Sequence, residues 1–132
     1  MCLKIVDYVR KDKIKYVYKL FDLRKNKLYA YVVSNYIYKP GYNYPRGKIN
    51  IQNWMVEGGI LHVYRSINEL SCFQYKNGVI LRFPVVLEDI LYYGAKKDVG
   101  LKKLFIPKNL YERAINQDKP NITLKTSLKV YW

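Results

Sequence analysis

The sequence predicts a single α+β domain over residues 1–132: a mainly antiparallel sheet with two short helices packed against it as one layer. Three observations carry this expectation. Apolar, β-branched and aromatic residues recur with period two in most segments, which is the signature of half-buried strands. Two segments carry helix-start chemistry. No internal repeat or low-complexity linker divides the 132 residues, and a chain of this length ordinarily makes one domain.

The first third reads as strands. Leu3 to Val9 is β-rich, and Leu28 to Val33 is a second such run. From Ile14 to Phe21, Ile14, Tyr16, Tyr18 and Leu20 alternate with Lys15, Val17, Lys19 and Phe21. The polar breaks Arg10–Lys13 and Arg24–Lys27 separate these runs, which predicts a three-strand meander. Residues 34–50 hold Pro40-Gly41 and Pro45 and read as a long connection with a short strand at each end. Ile51 to Glu57 is a further short element, and Ile60 to Tyr64 a strand. Ser66 with Glu69 three residues on forms a capping box, which predicts a helix to about Phe73. Val79 to Val86 is the strongest strand signal, and Pro84 within it predicts an edge or a bulge. Asp89 to Tyr93 reads as a strand or single turn, Asp98-Val99-Gly100 as a turn, and Leu101 to Ile106 as a strand. Pro107 opens a helix to about Asn116. Ile122 to Trp132 alternates cleanly and predicts one half-buried antiparallel strand.

Composition narrows the function. The chain holds 24 Lys and Arg against 10 Asp and Glu, a net charge of +14. Such an excess raises the local concentration of anions and speeds encounter with anionic partners. Lys, Ile, Asn and Tyr are all frequent, so an AT-biased genome also accounts for part of the excess. Cys2 and Cys72, with no apolar leader, predict free thiols in a cytoplasmic setting, that of a cell or of an infected host. No run reaches the ~18 apolar residues that a membrane helix needs.

Catalytic and metal signatures are weak. His62 is the single histidine, set mid-strand, and reads as structural. One histidine and two cysteines seventy residues apart offer no zinc-ligand spacing, so no metal and no cofactor is expected. Gly58-Gly59 precedes a strand, not the helix N-terminus that a phosphate loop uses. A binding protein, not an enzyme, is the expectation.

Gly59 to Glu69, in which a glycine and a His-Val-aromatic strand lead into a Ser-hydrophobic-x-acidic helix start, resembles a segment of small phage and prophage proteins of AT-rich bacteria. Lys102 to Tyr111, a strand followed by Pro-Lys and a helix bearing Tyr, resembles a later segment of the same proteins. Together they cover about a third of the chain, and their motifs carry no active site. The resemblance implies a non-enzymatic inhibitor of a host defence system, anti-CRISPR-like, that binds a host protein or ribonucleoprotein complex handling nucleic acid.

One aromatic-basic segment is the candidate surface. Tyr29, Tyr31, Tyr36, Tyr38, Tyr42 and Tyr44 recur at spacing two within local runs, which places each pair on one face of an extended chain, and Lys39, Arg46 and Lys48 interleave with them; Tyr36 to Tyr44 are the candidate contacts. Tyrosine rings stack on bases and anchor protein interfaces, and lysine and arginine neutralise phosphates. The alternative is a Tyr-rich sheet packing its own core. A second basic cluster, Lys96 and Lys97 with Lys102, Lys103 and Lys108, flanks the expected turn at 98–100. Direct binding of RNA or single-stranded DNA, and sequestration of an anionic nucleotide signal, are the other functions these residues allow.

Overall fold

The computed structural model describes residues 3–7, 15–31, 36–47, 50–52, 55–58, 60–70, 77–94 and 97–132. Among these, strands dominate: β1 Leu3–Asp7, β2 Tyr16–Arg24, β3 Lys27–Ala30, β4 Ile37–Tyr38, β5 Gly41–Asn43, β6 Asn50–Gln52 and β7 Met55–Gly58. There follow β8 Leu61–Tyr64, β9 Gly78–Pro84, β10 Ile90–Gly94, β11 Asp98–Leu101, β12 Leu104–Ile106, β13 Ile122–Thr123 and β14 Lys129–Tyr131. One α-helix, α1 Lys108–Ile115, lies between β12 and β13. The expected two-helix α+β arrangement is therefore corrected to a mostly β fold with a single described helix.

The helix expected from Ser66 is a 3-10 turn, Ile67–Glu69. The Ser66 hydroxyl caps it by accepting from the Asn68 amide at 3.2 Å, while the amides of Glu69 and Leu70 close on the carbonyls of Ser66 and Ile67 at 3.4 and 2.9 Å. The cap is real, but a 3-10 pattern follows it, so a capping signal fixed a start and not a length. Residues 71–73 lie outside the described part.

The main sheet runs β13-β14-β9-β2-β8-β11-β10-β1-β7-β6, with β3 on β2 and β4 on β3. Strand β2 is its hinge. One edge pairs antiparallel with β9 along its length. The other edge is shared: Tyr18 pairs with Tyr64 of β8, and Phe21 to Arg24 pair with β3. The meander expected of the first three strands is thus absent, because β1 pairs with β10 and β7 instead. Pairing partners so distant in sequence leave no mark on local periodicity. The β2–β3 turn is tighter than expected, two residues, Lys25 and Asn26, both at positive φ (52° and 59°), the backbone that matches strand twist.

Four further expectations change. Pro84 does not mark an edge: β9 is central, and Pro84 is its last residue, beyond the parallel ladder that joins Val79–Leu81 to β14. The C-terminal run is a hairpin, not one antiparallel strand; it turns at Ser127 (φ 71°), and β14 runs parallel to β9. Asp98-Val99-Gly100 is a buried strand, and the 101–106 strand breaks at Lys102-Lys103, with β12 leaving for a separate ladder with β5.

Both faces of the central strands are covered. One holds Val17, Phe21, Leu81, Phe83 and Tyr131 beneath β4, β12 and α1. The other holds Leu20, Ile80 and Val130 beneath Leu70 and Leu128. Helix α1 forms because Leu110, Tyr111 and Ala114 share one apolar face. The Tyr111 hydroxyl donates to the Tyr38 carbonyl at 2.8 Å and accepts from the Leu28 amide at 3.2 Å, so the helix clamps β4 to β3.

Candidate anion-binding surface

The β5–β12 ladder carries the candidate site. Gly41, at φ +91°, turns the chain after Pro40. Asn43, buried, then secures the turn: its Oδ1 accepts from the Lys39 amide at 2.9 Å, and its Nδ2 donates to the carbonyls of Lys39 and Gly41 at 2.8 and 3.1 Å. With that anchor in place, Tyr42 lies directly opposite Phe105 across the ladder. Both are exposed, Tyr42 at 43% and Phe105 at 46%, while the flanking Leu104 and Ile106 point into the core. Their rings meet edge-on at 5.0 Å, and Tyr44, 59% exposed, extends the aromatic surface at 6.4 Å from Tyr42.

Cations lie on these rings. The Lys103 ammonium sits 4.7 Å from the Tyr42 centroid, and the Arg46 guanidinium 5.1 Å from that of Tyr36. Lys39 and Lys102 are exposed beside them in sequence. The Tyr36 hydroxyl donates to the Tyr44 carbonyl, which closes the 36–44 loop on itself. Burial raises the Tyr36 pKa, and Arg46 pulls it partly back. Lys103 also reaches the buried Asp89 at 4.0 Å.

The structure therefore brings together Tyr36, Tyr42, Tyr44, Arg46 and Lys103 from the predicted set. It adds Phe105, which the sequence reading missed although its alternation with Leu104 and Ile106 marked it as outward-facing. Tyr38 is corrected: it is 3% exposed and packs at 5.0 Å against Phe21, because β4 turns that face onto the core. Lys97 is corrected as well. Residues 98–101 form a strand, so Lys97 and Lys102 stand at opposite ends of it, roughly 16 Å apart along the chain. Lys48 and Lys96 lie outside the described residues, as does Cys72.

No family model, curated protein sequence or solved structure matches the chain. The chemistry is therefore read from geometry. Among the described residues, no group of three or more His, Cys, Asp or Glu is placed to hold a metal ion.

His62 and Lys19 form the other notable pair. Burial, then the nearby Lys19 charge, lowers the His62 pKa to about 4, so the ring is neutral at pH 7. Its Nε2 is buried without a hydrogen-bond partner among the described residues, and the ring lies edge-on to Tyr92 at 6.2 Å. The Lys19 ammonium donates to the His62 carbonyl at 2.6 Å and faces the Tyr38 ring at 5.5 Å. Burial lowers the Lys19 pKa to about 8. This donor fills the gap where the β2 edge passes from β8 to β3, a place where the His62 carbonyl would otherwise lose its ladder partner.

Proposed function

We propose that the chain is a non-enzymatic binding protein that docks on a nucleic-acid-handling complex of a host cell through its β5–β12 surface, as a phage-type inhibitor of host defence. The observation that carries the reading is the opposed, exposed pair Tyr42 and Phe105 with Lys103 on the Tyr42 ring. Two large rings kept out of the core cost solvation, and cations beside them fit an anionic counterpart better than a purely apolar one. Tyrosine and arginine are also the side chains on which protein interfaces concentrate their energy.

The test is expression of the chain in a bacterium whose CRISPR system restricts a targeted phage. Wild-type protein restores plaque formation, and a Tyr42→Ala, Phe105→Ala double variant of unchanged thermal stability does not. Failure of the wild type to restore plaques across the common effector types, or full restoration by the double variant, defeats the reading.

A second reading, direct binding of single-stranded nucleic acid, is favoured by the exposure of Tyr44, whose ring is open for base stacking. It requires that affinity for a labelled oligothymidylate fall steeply with salt, as phosphate contacts release counterions.

A further inference from the structure

A second aromatic-basic arrangement lies on the other side of the sheet. Arg82 of β9 is flanked by a strand on each side, β2 antiparallel and β14 parallel. Tyr16 of β2 and Trp132, the residue that follows β14, each bring a ring: the Arg82 guanidinium carbon is 4.4 Å from the Tyr16 centroid and 4.3 Å from that of Trp132. Along β9, Arg82 alternates with Leu81 and Phe83, so it shares a face with Ile80. Ile80 packs in the cluster with Leu20 and Val130, whereas β4 and β12 cover the opposite face. The Arg82 stack and the β5–β12 surface are therefore separate.

Two rings on a guanidinium restrict its motion, and its N–H donors stay available to an acceptor that the rings do not supply. Among the described residues, no carboxylate or carbonyl pairs with Arg82, and its Nε is buried without an acceptor. Tyr16 and Trp132 each give surface to the guanidinium yet remain 46% and 39% exposed. A planar cation with oriented donors, set between exposed rings, matches a phosphate joined to a flat base. The net charge of +14 favours that phosphate over a neutral ligand.

We infer that Tyr16, Arg82 and Trp132 form a nucleotide-binding site, in which the Arg82 terminal nitrogens take the phosphate and an exposed ring takes the base. The site does not rest on the function proposed for the β5–β12 surface.

The test is a ¹H–¹⁵N NMR titration of the whole chain that follows the Trp132 indole resonance, assigned with Trp132→Phe. AMP at millimolar concentration shifts this resonance in the wild type; adenosine and N-acetylglutamate leave it in place. Arg82→Lys, which keeps the charge and loses the planar fork, abolishes the AMP shift, and Tyr42→Ala retains it. Absence of an AMP shift overturns the inference. So does an equal shift with adenosine, which reports stacking without the phosphate, or with N-acetylglutamate, which reports a carboxylate site. The comparison of ligands on the wild type is decisive even if Arg82→Lys perturbs folding. A parallel titration with a short oligothymidylate separates the two sources of the phosphate: tighter binding than AMP assigns a nucleic-acid strand, weaker binding a free nucleotide, and the phosphate assignment stands in both cases.

Discussion

Tyr38 and Tyr42 stand four residues apart and have the same chemistry, yet one is a core residue and the other a surface one. The tyrosine repeat told the sequence reader only that both lay on extended chain. Which face met the core depended on the turn at Pro40–Gly41 and on the Tyr111 hydroxyl that holds β4 down. The two perturbed bases make sharper statements at this scale. His62 is neutral in the fold down to about pH 4, but in the unfolded chain it takes up its proton near 6.5. Between these values the unfolded state binds more protons, so stability is lost as pH falls from 6.5 to 4. Denaturant melts over that range should show the wild type losing about 1–3 kcal/mol more than His62→Gln. Lys19 gives an alkaline counterpart. Its folded pKa of about 8 lies below its ordinary value of 10.5, so the unfolded chain again binds more protons, and stability rises with pH across that window. Lys19→Met should flatten the rise relative to wild type, while tyrosine and other lysine titrations remain common to both. A rise of equal slope in the variant would remove Lys19 from this role.

Elements show how much single backbone positions decide. In the β10–β11 pair, Gly100 lies opposite Tyr92, and the buried Tyr92 ring occupies the space that a Cβ on Gly100 would fill. Gly100→Ala should therefore destabilise by about 1–3 kcal/mol through overpacking, measured by urea denaturation. Helix α1 ends in the opposite condition. The Asp118 amide bonds the Arg113 carbonyl and the Gln117 amide that of Ala114, a Schellman ending, but Gln117 sits at φ 53°, where glycine is at ease. Gln117→Gly should raise stability by about 0.5–1 kcal/mol. Most strand segments were visible as period-two runs, and α1 was visible from Pro107 and its apolar face. The 98–100 strand was not, because glycine and aspartate there resemble turn chemistry, and their placement depends on Tyr92 and Gly94 across the ladder.

At the scale of the molecule, the sheet is held at a fork. Strand β2 serves β9 on one edge and divides the other between β8 and β3, with the Lys19 ammonium at the division. The described helix lies over one face, and the two aromatic-cationic surfaces lie on opposite faces. A charge of +14 on this frame has two consequences of opposite sign. Raising salt from about 10 mM to 150 mM shortens the Debye length from ~30 to ~8 Å, which relieves self-repulsion. The melting temperature should rise, by differential scanning calorimetry, while affinity for any polyanion falls over the same range. A melting temperature that falls with salt would mean that attractive pairs, not the excess charge, dominate the folded state.

The sequence by itself determined the sign of the charge, the predominance of strands, helix α1 and the clustering of Tyr42, Tyr44 and Arg46 on one loop. These are local or compositional properties, and periodicity, proline and side-chain chemistry report them directly. Only the tertiary structure decided that β14 runs parallel to β9, that Pro84 ends a central strand, that Phe105 faces Tyr42, and that Tyr16 and Trp132 enclose Arg82. Each of these depends on contacts between residues far apart in the chain. Hydrophobic burial selects such contacts by the fit of whole faces, and no single segment encodes that fit.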